Sequence, residues 1–252
     1  MSEFGPTNRG GHLLQYVRAV DSLTEGSWHI HVDPGLAERL KDLLCDAHTG
    51  TIGGSERALI NVSIDHATPL TRIGSHAAPL VFSRAMARRC RDLWSDTRAG
   101  TVFSGLITPK RRRAFRRWER RHQNVQYAVT DNRSHDLTSR ITESTRGRTW
   151  ETKGWDEPYF RELAGARYAL CPSGDHTWSY RFFEAALCGA IPIIEAPVPA
   201  YGGFVFGRMD DPGLIPAWSL QIAHHNAELA EKRLTIPAHR LDAIIDQAVA
   251  HE

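Results

Sequence analysis

The alternation of short apolar segments with helical segments constrains the fold of this chain more than any other feature. Helical spacing of apolar residues and Pro34 in a first turn predict a helix after Asp33. Strands separated by helices are typical of a parallel sheet with helices on both faces. The predicted strands are Trp28–Val32, Ala58–Ile64, Pro79–Ser83, Thr101–Ser104, Val125–Val129, Tyr168–Cys171 and Ile191–Ile194. The other predicted helices are Ala85–Trp94, Lys110–Arg121, Glu157–Gly165, Ser179–Cys188 and Ala238–Ala250.

The number of strand and helix units predicts an α/β protein built from two small Rossmann-like domains. We place the division near residue 97, which gives an N-terminal domain of residues 1–97 and a second domain of residues 98–236. Residues 237–252 form a C-terminal helix that we expect to pack back on the N-terminal domain. The polar stretch Arg133–Gly154 has no strong period and is predicted to be a loop.

Composition excludes several classes of protein. With 252 residues, 41% apolar and 24% charged, the chain has the profile of a globular protein rather than of a disordered one. The four cysteines form no C-x-x-C pair and the 13 histidines are scattered, so we predict no metal site. No apolar run reaches the roughly 20 residues of a membrane span, and the N-terminus lacks the hydrophobic core of a signal peptide. We therefore expect a soluble, cytoplasmic protein.

The segment Tyr168–Glu195 carries the clearest chemical pattern. A short apolar strand runs into a polar loop, a helix begins near Ser179, and Gly189 is placed to end that helix in the left-handed conformation. This order puts backbone N–H groups and the positive end of a helix dipole at the carboxyl edge of the sheet, where anions bind. Arg181 and Glu184 share one helix face. Their spacing alone fits an ordinary surface ion pair as well as a binding site.

The same segment resembles the donor-binding part of the exostosin-type glycosyltransferases, a family with the GT-B fold. That family carries C-P-x-G-D before W-S-x-R-x-F-E-A, followed by a glycine and I-P-[VI]-I. Here the strings are CPSGD at Cys171–Asp175, WSYRFFEA at Trp178–Ala185, Gly189, and IPII at Ile191–Ile194. The resemblance implies a GT-B-like pair of domains, with the acceptor on residues 1–97 and the nucleotide sugar on residues 98–236.

The resemblance also implies roles for single residues. Glu184 would accept hydrogen bonds from the hydroxyls of the donor ribose, and Arg181 and the Ser173–Gly174 loop would face the diphosphate or the sugar. The donor is expected to be a nucleoside diphosphate sugar, with UDP the expected nucleotide, and no separate cofactor is expected. The residues predicted to bind the donor are Gly105, Lys110, Arg111, Ser173, Gly174, Asp175, His176, Ser179, Tyr180, Arg181 and Glu184.

A strongly basic segment follows Phe103-Ser104-Gly105. Lys110–Arg121 contains eight basic residues and one acidic residue, a charge of +7. Because the net charge of the whole chain is +2, the other residues together carry −5. An F-x-G before basic residues is similar to the start of the family's donor-binding half, and Lys110 and Arg111 at the helix start are the candidates to meet the diphosphate. The remaining arginines are either a solvated face or a surface for a nucleic-acid backbone. These are Arg116, Arg117, Arg120 and Arg121.

The acceptor side is less determined by the sequence. Asp65 and His66 follow a predicted strand, where a catalytic base would lie, although a turn role fits them as well. Because no D-x-D motif is present, we expect transfer without a metal, with basic side chains and helix N-termini stabilising the leaving group. Both a carbohydrate and a hydroxymethylated base in DNA, as in the phage DNA glucosyltransferases, fit as acceptor.

A non-catalytic nucleic-acid-binding protein on a degenerate transferase fold is the alternative, and the arginine-rich helix favours it. Another nucleotide-binding enzyme on a Rossmann-like scaffold is a third interpretation, which the absence of G-x-G-x-x-G and P-loop motifs disfavours. The small size of the chain, and a hydroxymethylated base in DNA as its acceptor, are compatible with a phage or bacterial origin.

Overall fold

A computed structural model describes residues 29–32, 51–54, 62–65, 68–73, 75–122, 125–127, 139–143, 155–173 and 178–250. The chain forms two compact units. Unit 1 comprises residues 1–88, 149–156 and 231–252, and unit 2 comprises residues 89–148 and 157–230. The predicted division into 1–97, 98–236 and 237–252 cuts the chain differently and stays a prediction.

Unit 2 is built on a six-stranded sheet in which every pair of neighbouring strands is parallel. Its spatial order is β11-β10-β9-β6-β8-β7, so β6 lies inside the sheet and the chain runs outward from it in both directions. The strands are β6 (Thr101–Gly105), β7 (Val125–Tyr127), β8 (Ser139–Glu143), β9 (Tyr168–Cys171), β10 (Ile191–Ile194) and β11 (Gly207–Arg208). This doubly wound arrangement confirms the predicted α/β class and its parallel sheet.

Among the described residues, one helix precedes β6 and the other helices lie between these strands or after them. In chain order they are α1 (Arg84–Asp92), α2 (Pro109–Arg121), α3 (Glu157–Gly165), α4 (Tyr180–Leu187), α5 (Leu220–Leu234) and α6 (Ala238–Ala250). Helix α1 begins in unit 1 and ends in unit 2, and α5 runs the other way.

Helix α2 is fixed by its cap and by one apolar stripe. The Thr108 side chain accepts a hydrogen bond from the Arg111 N–H at 3.3 Å, and Pro109 occupies the first helical position. Ala114, Phe115 and Trp118 are buried. They belong to a core cluster that also contains Phe103, Ile107, Ile141, Tyr168, Leu170, Ile191, Ile193 and Met209. Burial of this stripe leaves the arginines on the opposite side of the helix.

Helix α4 is almost entirely buried, from Phe182 to Leu187. It ends as the sequence predicts, because Gly189 adopts a left-handed φ of 77°. A Cβ at this position would lie 2.7 Å from Nη2 of Arg98 and 2.9 Å from the Trp94 ring, so only glycine fits. Arg98 donates a hydrogen bond to the Cys188 carbonyl at 2.8 Å, which ties the end of α4 to the segment that precedes β6. Burial lowers the pKa of Arg98 to about 10, which leaves it charged at neutral pH.

The described residues of unit 1 include two small sheets. Strands β1 (His29–Val32) and β2 (Thr51–Gly54) form a parallel pair. Strands β3 (Val62–Asp65), β4 (Leu70–Ile73) and β5 (His76–Ala78) form an antiparallel sheet that the sequence did not predict. Helix α6 contacts β4 within the same unit.

Other segments also differ from the sequence predictions. Pro79–Ser83 is not a strand, because the N–H groups of Val81 and Phe82 donate to the carbonyl of Leu234 rather than to a neighbouring strand. Residues 139–143, predicted as loop, form β8 between β6 and β7, since parallel partners on both sides override a weak local pattern. Helix α5 was missed because its buried face consists mostly of alanines, which give little apolar periodicity.

Candidate active site

The sheet of unit 2 has a topological switch point at its carboxyl edge. Strands β6 and β9 are parallel neighbours, with Thr101 opposite Tyr168 and Val102 opposite Ala169. From β6 the chain leads toward β7, and from β9 it leads to β10 on the other side of the sheet. Open α/β sheets bind ligands in the crevice outside such a point. The two segments that the sequence singled out, around Gly105 and around Ser173, therefore leave the sheet at neighbouring positions.

Arg181 connects the first turn of α4 to the end of β6. Its Nη2 donates to the carbonyl of Ser104 at 2.7 Å, and its guanidinium lies 4.3 Å from the centre of the Phe103 ring. Gly105 has a φ of 152°, and a Cβ there would overlap the guanidinium. Gly105 was predicted to bind the donor, and the structure shows that it makes room for Arg181.

Glu184 lies one turn further along α4 and is only 3% exposed. Its Oε2 accepts a hydrogen bond from the hydroxyl of Tyr159 at 2.6 Å. This burial argues against the interpretation of Arg181 and Glu184 as a surface ion pair. Burial raises the pKa of the neighbouring Cys171 thiol to about 12, so Cys171 stays protonated at neutral pH and is inert.

The start of α4 is held by aromatic residues. The N–H of Ser179 donates to the Tyr201 hydroxyl at 2.9 Å, while the Ser179 side chain makes no capping bond. The Tyr201 ring stacks on Phe182 with ring centres 3.7 Å apart. Tyr180 packs against the buried ring of Trp178, with ring centres 4.8 Å apart. The helix N-terminus is thus positioned by packing rather than by a side-chain cap from Ser179.

Glu195, which sequence reasoning did not select, organises the other side of the crevice. One carboxylate oxygen accepts from the Ser173 N–H at 2.7 Å, and the other pairs with Nη2 of Arg117 on α2 at 2.6 Å. Its position directly after the apolar strand Ile191–Ile194 was the available clue, since that strand ends at the same edge. Arg117, predicted as a nucleic-acid contact, is therefore engaged in holding Glu195.

We expect Glu195→Gln to loosen the loop at Ser173. Glutamine offers one acceptor oxygen in place of two, so one of the two donors loses its partner, and the free energy of unfolding falls by about 1–2 kcal/mol. Hydrogen–deuterium exchange of the peptide that covers Ser173 should accelerate. The matched control is Arg117→Gln, which removes the partly exposed ion pair but leaves the Ser173 bond in place. Equal exchange in the two variants would contradict this role of Glu195.

The remaining predicted donor residues lie partly within the described structure. Lys110 is exposed on the first turn of α2, and Nη1 of Arg111 donates to the Leu106 carbonyl at 2.7 Å. Gly174, Asp175 and His176 lie outside the described residues.

The predicted acceptor residues lie in unit 1. Asp65 is the last residue of β3, and only its backbone is described. His66 lies outside the described residues, so neither prediction is tested.

Within the described ranges, no group of three or more His, Cys, Asp or Glu side chains could hold a metal ion. None of the helices in those ranges is both long and apolar enough to cross a membrane.

The geometry places Arg181 and the start of α4 beside the end of β6, at the switch point of a doubly wound sheet. The family follows from comparison. A model of the exostosin GT47 domain matches residues 63–198, which is more than half of the chain. The chain belongs to the exostosin GT47 family of glycosyltransferases, and the resemblance drawn from the sequence is confirmed.

A solved structure of sucrose-phosphate synthase from Thermosynechococcus elongatus is similar to this chain, with 13% identity and a TM-score of 0.41. The match covers 92% of this chain and 61% of that one, so this chain spans less than two thirds of that protein's length. No curated protein sequence matches the chain.

Proposed function

We propose that this protein transfers a sugar from a nucleoside diphosphate sugar, with UDP the expected nucleotide, to a hydroxyl acceptor. The observation that carries the proposal is the placement of Arg181 and Glu184 on the first two turns of α4, with the Arg181 side chain bonded to the end of β6 at the switch point. Membership of the exostosin GT47 family supports the same reaction.

Arg181 is proposed to bind the diphosphate of the donor. A guanidinium has five N–H donors, and the bond to Ser104 uses one of them. The bond and the stacking on Phe103 fix its orientation before the ligand arrives, which lowers the entropic cost of binding. The N-terminus of α4 and the Lys110–Arg111 turn of α2 add positive potential for the same anion.

Glu184 is proposed to accept hydrogen bonds from the ribose hydroxyls. A carboxylate offers about four lone-pair sites, and the Tyr159 hydroxyl occupies one of them. Tyr159 holds the carboxylate in place, and burial strengthens each hydrogen bond that it accepts. Ser173, held by Glu195, would present its loop to the sugar or the diphosphate.

We further propose a GT-B arrangement and transfer without a metal. Arg181 and the helix N-terminus would stabilise the charge that develops on the departing diphosphate. If the configuration at the sugar is inverted, a base must take the proton of the acceptor hydroxyl, and Asp65 and His66 are the candidates. The acceptor is a carbohydrate or a hydroxymethylated base in DNA.

A donor-consumption assay tests the proposal. The protein is incubated with UDP-, GDP-, ADP- and CDP-sugars, and release of free nucleoside diphosphate is followed with oligosaccharides and with hydroxymethylated duplex DNA. We expect one donor to be consumed with one acceptor class, and the product to gain one sugar residue by mass spectrometry. Consumption of no donor with either acceptor, together with duplex binding, would favour the non-catalytic alternative.

A further inference from the structure

We propose that an exposed face of helix α2 binds the phosphate backbone of duplex DNA. The face, called here the arginine face, consists of Arg113, Arg116, Arg120 and Arg121, all of which are exposed. Within the described part of the chain, the structure gives these four side chains no hydrogen bond or ion pair. Arg117 is not included because it pairs with Glu195.

The geometry of the helix puts the four arginines on one side. At 100° per residue they fall within about 140° of the helix circumference, opposite the buried stripe of Ala114, Phe115 and Trp118. Along the axis they span about 12 Å. Duplex DNA presents about seven phosphate charges over that length, whereas a nucleotide diphosphate is far too short to meet all four side chains. The arginine face therefore fits an extended polyanion rather than the sugar donor.

The chemistry of the face favours a phosphate backbone. Guanidinium groups only donate hydrogen bonds, and phosphate oxygens of a backbone only accept them, often two from one arginine. A polysaccharide also presents hydroxyl donors, for which the arginine face has no acceptor. The aromatic residues of α2, Phe115 and Trp118, are buried, so the helix has no ring on which unpaired bases could stack. These points select the duplex over a single strand or a glycan.

Neighbouring acidic groups decide which arginines to change. Asp210 lies close enough to Arg121 to feel its charge, but it is paired with Arg208. Glu119, the one acidic residue of α2, lies beside Arg116 and Arg112 on the flank of the face. Arg116 and Arg120 stand one turn apart on the same side of the helix, and glutamine at these positions preserves helix propensity. The double variant R116Q/R120Q is therefore the informative change.

Fluorescence anisotropy with a labelled duplex of about 24 base pairs tests the proposal, without any nucleotide present. If four arginines meet phosphates, the affinity falls about 150-fold between 50 and 200 mM salt, with a slope near −3.6. For R116Q/R120Q the slope should be near −1.8 and the fall about 12-fold. The control R88Q/R167Q removes two exposed arginines elsewhere, and its slope should equal that of the unchanged protein.

Three results would overturn the proposal. They are no duplex binding at 50 mM salt, an equal loss in the test and control variants, and binding of heparin but not of duplex through the arginine face. Because no donor is present, the assay does not depend on the proposed sugar transfer. Duplex binding without nucleotide binding would leave the arginine face established and the transferase proposal rejected.

Discussion

Replacement of Arg181 by alanine is expected to lower the rate of sugar transfer by about two to three orders of magnitude, the usual effect of removing one preorganised donor to a developing negative charge. The expectation rests on the position of the guanidinium, held between the Ser104 carbonyl and the Phe103 ring beside the switch point. Initial rates of nucleoside diphosphate release, measured at saturating and at limiting donor, would report both kcat and kcat/KM.

Arg181→Lys separates charge from geometry. A lysine keeps the positive charge but lacks the planar fork that bonds Ser104 while facing a phosphate, so about a tenfold loss is expected. Arg167→Ala, an exposed arginine that precedes β9 at the opposite edge of the sheet, serves as the control and should leave the rate unchanged. A rate for Arg181→Ala within about threefold of the unchanged enzyme would refute a role in stabilising the leaving group.

The largest effect on stability is expected for Phe182→Ala, about 3–5 kcal/mol. Phe182 is fully buried, stacks on Tyr201, and meets Phe183 and Phe204 edge to face at 5.2 and 5.3 Å between ring centres. Its removal leaves a cavity under the first turn of α4 and frees the ring of Tyr201, whose hydroxyl accepts the hydrogen bond from the Ser179 N–H. The urea midpoint should fall markedly, and nucleotide binding should weaken because the helix start is no longer fixed.

Leu220→Ala is the matched control for this loss of stability. Leu220 is 54% exposed at the start of α5, so its truncation should change the free energy of unfolding by no more than about 0.5 kcal/mol. If Phe182→Ala also cost less than about 1 kcal/mol, the aromatic cluster would not be what positions α4.

The donor side of the fold was predictable because its pattern is local. Strands β9 and β10 and helix α3 have the bounds that the sequence predicts, since apolar runs flanked by loop residues specify buried parallel strands. Gly189 ends α4 in the predicted conformation for an equally local reason, the need for a positive φ. The family string around Arg181 and Glu184 lies on these same elements.

What the sequence did not predict depends on contacts between distant segments. The hydrogen bond between Tyr159 and Glu184 joins residues that are 25 positions apart in the sequence. The bond between Ser173 and Glu195 joins residues that are 22 positions apart. No periodicity of the sequence indicates either pair. Strand β8 forms because partners lie on both sides of it, and Gly105 leaves the space that the Arg181 guanidinium occupies. Each of these features depends on tertiary packing, which the local propensities of the residues do not predict.

The most direct test of the donor site is a thermal-shift comparison of the unchanged protein with Glu184→Gln, in the presence of UDP, GDP, ADP, CDP and their sugar conjugates. Glutamine keeps an acceptor for the Tyr159 hydroxyl but loses the charge, so both proteins should melt at nearly the same temperature without ligand. A nucleotide at about 100 times its dissociation constant should raise the midpoint of the unchanged protein by about 5–10 °C. We expect one nucleotide to give this shift and Glu184→Gln to lose most of it. Equal shifts in the two proteins, or no shift with any nucleotide, would contradict it.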